Sequence, residues 1–212
     1  MNPIFDWLFA QYEQTPTHLV VLEFIGVFFG FLSVWYSKRE NILVFPTGII
    51  STAIFVYILF VFGLLGDMLI NAFYFIMSIY GWYVWTRKVD ETHFIPITTT
   101  TSRDKKWGAI MFFGTLVFVC VVYHVFDKFE SWTAYLDTFT TAIFFVGMWL
   151  MAKKKLANWT FWIIGDLISI PLYLYKGLIF TSFQYLLFTI IAIYGYKAWR
   201  KNINKSPQTL LK

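Results

Sequence analysis

One aspartate, Asp166, lies near the middle of an apolar segment that starts at the motif NWTFW and ends near residue 176. Together with Asp166, the residues Trp162, Ser169 and Tyr173 follow one another at spacings of four, three and four residues. On a helix these four side chains lie along one face. A lone charged aspartate at the centre of a bilayer costs roughly 2.5–3.5 kcal/mol on insertion scales. Because no lysine or arginine lies in the middle of any predicted span, we expect Asp166 to face a cavity and a ligand.

The aromatic residues around this acid indicate what the ligand is. Tryptophan and tyrosine faces attract cations by roughly 0.5–2 kcal/mol each and stack well on flat rings. Similar stripes recur in other predicted spans: Asn71, Tyr74, Ser78, Trp82 and Trp85 in the third, Gln184, Phe188, Gly195 and Trp199 in the seventh, and Thr47 with Ser51 in the second. Amide and hydroxyl side chains hydrogen-bond hydroxyl groups. The pattern therefore favours a cationic heteroaromatic ring that carries a sugar or an alcohol.

Each of these positions other than the aspartate has a structural alternative. Trp82, Trp85 and Trp199 lie near helix ends, where tryptophan commonly anchors a helix at the membrane surface. Serine, threonine and asparagine often only hydrogen-bond between helices, at ~0.6 kcal/mol on average. Glu23 and Asp137 lie nearer the surface, where lining a water-filled vestibule is the alternative.

The composition is typical of a membrane protein. Of 212 residues, 58% are hydrophobic, 23% are aromatic and only 14% are charged, whereas soluble domains have roughly 25% charged residues. The net charge of +5 comes from predicted loops and forms no basic face for nucleic acid. A single cysteine, Cys120, excludes a disulfide framework and a cysteine-based metal site. We expect no cofactor and no cleavable signal peptide.

Apolar stretches close to the ~20 residues that a helix needs to cross a bilayer predict seven transmembrane helices. They lie near residues 17–37, 42–63, 66–86, 107–126, 131–152, 159–176 and 178–199. In this arrangement fifteen of the seventeen basic residues fall in loops on one side, and only Lys128 and Lys176 fall on the other. The positive-inside rule makes the basic side cytoplasmic, so the N-terminus is expected outside and the C-terminus inside.

The two halves of the chain resemble each other at a shift of 114 residues. At this shift IYGWYVW, residues 79–85, overlays IYGYKAW, residues 193–199. The positions matched with a further offset of three residues are Asn41 with Asn158 and Gly48 with Gly165. The shared ending Tyr-Gly-x-x-x-Trp favours a duplication over a chance match in a sequence rich in aromatic residues.

We therefore predict one all-α integral membrane domain, residues 1–212, with seven transmembrane helices in two parallel three-helix repeats. The first repeat covers 17–86, a linking helix covers 107–126, and the second repeat covers 131–199. The connection 87–106 contains the run ITTTTSRDKK, which is poor in helix formers and separates the halves. Parallel repeats around an axis along the membrane normal are one known layout of transporters, with the substrate held near the midplane between them.

Two motifs make the chain resemble the PnuC family of vitamin transporters over residues 23–200: NWTFW followed by an aspartate, and NAFYFIMSIYGWYVW in the third span. The resemblance implies a doubled SemiSWEET-like fold with helices arranged three-one-three. The substrate contacts that it implies are Asn158, Trp159 and Trp162, together with Asn71, Tyr74 and Trp82. The complete predicted binding site is Asn158, Trp159, Trp162, Asp166, Ser169, Tyr173, Asn71, Tyr74, Trp82, Gln184, Thr47 and Phe188.

Members of this family typically carry nicotinamide riboside, and some carry thiamine, both of which hold a cationic ring. The resemblance implies facilitated diffusion into a bacterium across its inner membrane, with phosphorylation in the cytoplasm trapping the product. The sequence has no glycine-rich loop for nucleotide hydrolysis. Some nicotinamide riboside carriers have another residue where this chain has Asp166, so thiamine is the alternative substrate. The expected partners are this small molecule and the lipid bilayer, and the fourth span is a candidate contact surface for a homo-oligomer.

Two other protein classes fit the sequence less well. A seven-span receptor of the rhodopsin type has an acidic-Arg-aromatic signature at the inner end of its third span, but this chain has VWTRKVD there. An enzyme would need clustered catalytic groups. His18, His93 and His124 are scattered over a terminus, a loop and a separate helix, so the sequence predicts no enzyme.

Overall fold

A computed structural model describes residues 16–88, 95–127, 132–175 and 179–209. These residues form seven helices: α1 Thr17–Lys38, α2 Val44–Val61, α3 Leu65–Thr86, α4 Ser102–Val125, α5 Thr133–Ala152, α6 Asn158–Tyr175 and α7 Ile179–Thr209. An isolated β-bridge pairs Thr98 with Lys155. The predicted all-α class is confirmed. Lys128, Lys176 and the first fifteen residues, which enter the orientation argument, lie outside the described residues.

Five of these helices, α1 to α5, contain segments that are long and apolar enough to cross a bilayer. Helix α6 has 18 residues, but Asn158, Asp166 and Pro171 lower its mean hydropathy. Helix α7 continues to Thr209, ten residues beyond the predicted end of the seventh span, and its last third is polar. Membrane crossing by α6 and α7 stays a prediction.

Helix α4 begins five residues earlier than predicted, at Ser102, within the threonine-rich connection. A capping box explains the start: the Asp104 amide donates to the Thr101 hydroxyl at 3.2 Å, and the Thr101 amide donates to the Asp104 carboxylate at 3.0 Å. The Asp104 carboxylate also pairs with Lys153 at 2.8 Å and with Lys155 at 3.1 Å. These bonds fix the start of α4 against the loop between α5 and α6.

Neighbouring helices in the chain pack against each other in two groups. Helix α2 packs against α1 and α3, and α6 packs against α5 and α7. Contacts of α3 with α5 and of α1 with α7 join the two groups, while α4 rests mainly on α5. The arrangement leaves a space between the groups that α4 does not border.

Two buried tryptophans join the groups at one end of the bundle. The Trp85 indole donates to the Met151 carbonyl at 3.2 Å, and the Trp199 indole donates to the Ser37 carbonyl at 3.0 Å. Both rings are almost fully buried, so neither anchors the protein at a membrane surface. The Ser37 hydroxyl completes the group with a 3.3 Å contact to the Met151 sulfur. We call Ser37, Trp85, Met151 and Trp199 the closure cluster.

An ion pair connects loops beside the closure cluster. The Lys154 ammonium lies 3.0 Å from the Glu40 carboxylate and 4.5 Å from the centre of the Trp85 ring. Lys154 is 5% exposed. Glu40 and Lys154 both have positive φ, at 55° and 51°, and lie just after α1 and α5 respectively. The pair therefore ties the α1–α2 loop to the α5–α6 loop.

Candidate substrate-binding site

A cavity of about 460 Å³ lies between the two helix groups, with walls from α1, α2, α3, α5, α6 and α7. This volume falls within the roughly 300–1,000 Å³ of small-molecule sites. Ser37 and Met151 of the closure cluster line the cavity, so the cluster lies at one end of it.

Seven of the twelve predicted site residues line this cavity: Asn71, Tyr74, Trp159, Trp162, Asp166, Gln184 and Phe188. They come from three helices far apart in the chain, and each helix presents them at spacings of three, four or seven residues, on one face. The structure therefore brings the stripes of the third, sixth and seventh spans together around one space.

The other five predicted residues lie outside the cavity lining. The Thr47 hydroxyl donates to the Leu43 carbonyl of its own helix at 2.6 Å, and Trp82 is 42% exposed. Asn158 is fully buried, and its amide nitrogen donates to the Lys155 carbonyl at 2.7 Å, where α6 begins. The remaining two residues, Ser169 and Tyr173, lie on α6 outside the lining. Ser169 is buried, and Tyr173 stacks on Tyr185 of the lining with ring centres 5.2 Å apart.

Asp166 gives the cavity its charge. Its side chain is almost completely buried, and no lysine or arginine among the described residues forms an ion pair with it. Glu23 is the second acid in the lining, which contains no basic residue. Because a charge buried without a partner is costly, the cavity favours a cationic ligand.

Aromatic rings form one wall of the cavity. Phe144 stacks on Trp162 with ring centres 5.4 Å apart and on Tyr185 with centres 6.1 Å apart. Trp159 also lines the cavity, and its buried indole Nε1 has no hydrogen-bond partner in the part of the chain that the structure describes. A buried donor without a partner is rare in native proteins. This wall can therefore stack a flat ring and donate one hydrogen bond to it.

Sequence reasoning missed two kinds of residue in the lining. The first are aromatic: Phe31, Phe55, Phe144 and Tyr185. Tyr185 lies 114 positions after Asn71, so the repeat shift itself could have found it. The second are glycines on α1 and α2, including Gly30 and Gly48, which carry no side chain that a polar stripe would show.

The described residues hold no group of three or more histidine, cysteine, aspartate or glutamate side chains close enough to bind a metal ion. The arrangement provides an acidic, aromatic cavity whose size and chemistry suit a small-molecule ligand.

Comparison with known proteins places the chain among vitamin carriers. The family model for nicotinamide mononucleotide transporters matches residues 20–201. The nicotinamide riboside transporter PnuC of Escherichia coli is 24% identical, with 84% of each chain covered. The riboflavin/roseoflavin transporter RibM of Streptomyces davaonensis is 21% identical, covering 94% of this chain and 92% of RibM.

A solved structure shares the fold. The crystal structure of the vitamin B3 transporter PnuC matches with a TM-score of 0.66 at 20% identity, over 95% of this chain and 88% of that one. The match includes all the helices that border the cavity, because it covers nearly the whole chain. With a family model that spans residues 20–201, the chain belongs to the nicotinamide mononucleotide transporter family and is a membrane vitamin transporter of the PnuC type.

Proposed function

We propose that this protein carries nicotinamide riboside into the cell by facilitated diffusion, with the ligand bound in the cavity between the two helix groups. The observation that carries the proposal is Asp166, an acid that is 2% exposed, lines the cavity and has no cationic partner among the described side chains. The pyridinium ring of nicotinamide riboside supplies that cation. Its flat face matches Trp162, and its ribose hydroxyls match the polar groups of Asn71 and Gln184.

The proposed transport layout is two parallel three-helix repeats joined by α4. Contacts between the two helix groups support it because they occur in matching pairs: Phe31 lies 5.0 Å from Phe188, and Phe145 lies 5.6 Å from Tyr74, measured between ring centres. The pairs correspond under the repeat shift, because Phe145 lies 114 positions after Phe31 and Phe188 lies 114 positions after Tyr74. Rocking of one repeat against the other would expose the cavity to each side in turn.

The proposed orientation places the closure cluster and the Glu40–Lys154 pair on the cytoplasmic side, with the N-terminus outside. The support is that the basic loops of α1–α2 and α5–α6 lie at this end. The test is a reporter enzyme, active only outside the cytoplasm, fused after residue 212. We expect an inactive reporter at this position, and activity there would reverse the orientation.

Thiamine is the alternative substrate, since its thiazolium ring is also cationic and would meet Asp166 in the same way. The relative RibM carries riboflavin, whose ring system is larger and uncharged. Riboflavin would leave Asp166 without a countercharge, so the site favours the two cationic vitamins.

Calorimetric titration of the detergent-purified protein with nicotinamide riboside, thiamine and riboflavin in separate runs tests the substrate. We expect saturable binding of nicotinamide riboside. Binding of thiamine alone would select the alternative, and binding of riboflavin alone would contradict the role given to Asp166.

Counterflow in sealed vesicles tests the mechanism. Vesicles that contain a facilitator and are preloaded with unlabelled nicotinamide riboside take up labelled substrate in exchange, without an ion gradient. Vesicles that contain a receptor or an enzyme do not. Accumulation of the substrate above its outside concentration under an imposed proton gradient would replace facilitated diffusion by coupled transport. Localisation in the inner membrane of a bacterium is part of the same proposal.

A further inference from the structure

The glycines of the helix groups fall into two kinds. A Cβ atom added to Gly195 would lie 2.6 Å from the Trp159 ring, and one added to Gly165 would overlap the Phe144 ring. At these positions a ring packs directly on the backbone and leaves no room for a side chain. In contrast, a Cβ atom on Gly30 would come near only the Ser51 hydroxyl, at 3.1 Å.

Gly48 is of the second kind. A Cβ atom there would lie 3.1 Å from the Ser33 hydroxyl and 3.3 Å from the Ser78 hydroxyl, with no ring against it. Gly30 and Gly48 both line the cavity. Glycine within a helix is unfavourable relative to alanine. At both positions the atoms nearest to an added Cβ are serine hydroxyls that line the same cavity.

The equivalent positions in the other helix group hold large rings. Phe144 lies 114 positions after Gly30, and Trp162 lies 114 positions after Gly48. The local contacts correspond as well: Gly30 faces Ser51, and Phe144 faces Gly165, again at the same shift. At these equivalent positions the cavity is therefore asymmetric, with rings on the α5–α6 side and glycines on the α1–α2 side.

We propose that Gly30 and Gly48 determine which ligand is carried. The ligand ring would have Trp162 and Phe144 on one face, and the two glycines would contact its opposite face. This inference rests on the proposed function. A buried acid without a cationic partner, Asp166, lines the same space and independently indicates a ligand there. A flat heteroaromatic cation fits between the two walls, and a methyl group on the glycine side would push its ring against the aromatic side.

The test uses the full-length, detergent-purified protein and calorimetric titration with nicotinamide riboside, thiamine and riboflavin. The variants are Gly30→Ala, Gly48→Ala and the matched control Gly114→Ala, which lies on α4 and has nothing within 4 Å of an added Cβ atom. We expect at least tenfold weaker binding of the vitamin that the unmodified protein binds in both cavity variants, and no change in the control.

The energetic coupling between Gly48→Ala and Trp162→Ala distinguishes direct contact of Gly48 with the ligand ring from a general structural effect. Combined with Trp162→Ala, the Gly48→Ala change should cost much less affinity than it does alone, because a ring freed from the aromatic wall can shift away from the new methyl group. Additive losses would overturn the inference.

The other outcomes are equally distinct. Affinities within twofold of the unmodified protein in both glycine variants would overturn this inference and leave the proposed function standing. Failure of both alanine variants to fold would assign the glycines to helix packing and overturn it too. Binding of none of the three vitamins by the unmodified protein would overturn the proposed function, and the inference with it.

Discussion

At the scale of single residues, the site depends on one buried charge. Asp166 is the residue that composition and depth identify most directly, because a carboxylate in an apolar helix needs a partner and the described residues supply no cation. Because stacked rings line one side of the same cavity, the expected partner is flat as well as positively charged.

Replacing Asp166 by asparagine should weaken nicotinamide riboside binding by about 1–3 kcal/mol, since the amide keeps the size but loses the charge. Titration calorimetry measures the change. The folded protein should remain at least as stable to heat, because the cost of burying an unpaired charge disappears.

The matched control is Asp137→Asn, the same change on α5 at a position outside the cavity lining. We expect its affinity to equal that of the unmodified protein. Unchanged affinity in Asp166→Asn would remove this aspartate from the site.

Trp162→Ala should weaken binding by about 1–3 kcal/mol through loss of stacking and of the cation–π attraction. Trp162 lines the cavity and stacks on Phe144. Trp107→Ala is the comparison, because Trp107 lies on α4 and is 51% exposed outside the cavity. Equal losses in the two variants, by the same titration, would contradict a specific role for Trp162.

At the scale of elements, glycines decide how closely α6 and α7 approach their neighbours. The sequence comparison aligned Gly48 with Gly165 by adding three residues to the repeat shift. The contacts instead correspond at 114 throughout: Phe45 packs edge-on against Trp85 at 5.0 Å, and Trp159 packs edge-on against Trp199 at 5.6 Å. Ring packing on a glycine recurs at the same shift, since the Phe45 ring packs on Gly81 and the Trp159 ring packs on Gly195.

Gly165→Ala should destabilise the protein by about 1–3 kcal/mol, because the added methyl group overlaps the Phe144 ring and the packed interface must open. Thermal unfolding in detergent measures this. Gly114→Ala should be neutral or stabilising, by up to about 1 kcal/mol, since it adds helix propensity in open space. A Gly165→Ala protein as stable as the unmodified one would show that α5 and α6 are not held at this distance by the glycine.

At the scale of the whole molecule, the cavity exists because two helix groups meet only at their edges and at one end. The closure cluster and the Glu40–Lys154 pair hold that end together. The two indole hydrogen bonds are equivalent under the repeat shift. Trp199, which donates to Ser37, lies 114 positions after Trp85, and Met151, which accepts from Trp85, lies 114 positions after Ser37. This end of the cavity is closed by contacts between the groups, so opening it requires their separation.

Lys154→Met should therefore lower the free energy of unfolding by about 1–3 kcal/mol, between the values of exposed and buried ion pairs, because Glu40 loses its partner. Glu40→Gln should lower it as well, and the exchanged pair Glu40→Lys with Lys154→Glu should recover part of the loss. Thermal unfolding of the unmodified protein, the two single variants and the Glu40→Gln, Lys154→Met double variant forms the double-mutant cycle, and the exchanged pair is measured beside it. Absence of any coupling would show that the pair does not hold the groups together.

The sequence by itself determined the all-helical class, the seven helices of the described residues and the residue with the most informative chemistry. It could do so because apolar length, charge placement and the cost of a buried carboxylate are local properties that each segment carries alone. It also placed seven of the twelve predicted site residues on helix faces that the fold directs into one cavity.

Only the tertiary structure decided which of those faces meet and what lies opposite them. Trp85 and Trp199 are predicted equally well as membrane anchors or as inward-facing residues, and the packing of one helix group on the other buries both. Gly30 and Gly48 have no side chain to predict from, and their importance follows from what stands across the cavity. A side chain's chemistry belongs to the sequence, but the space that it faces is formed by residues more than a hundred positions away, and only packing brings them together.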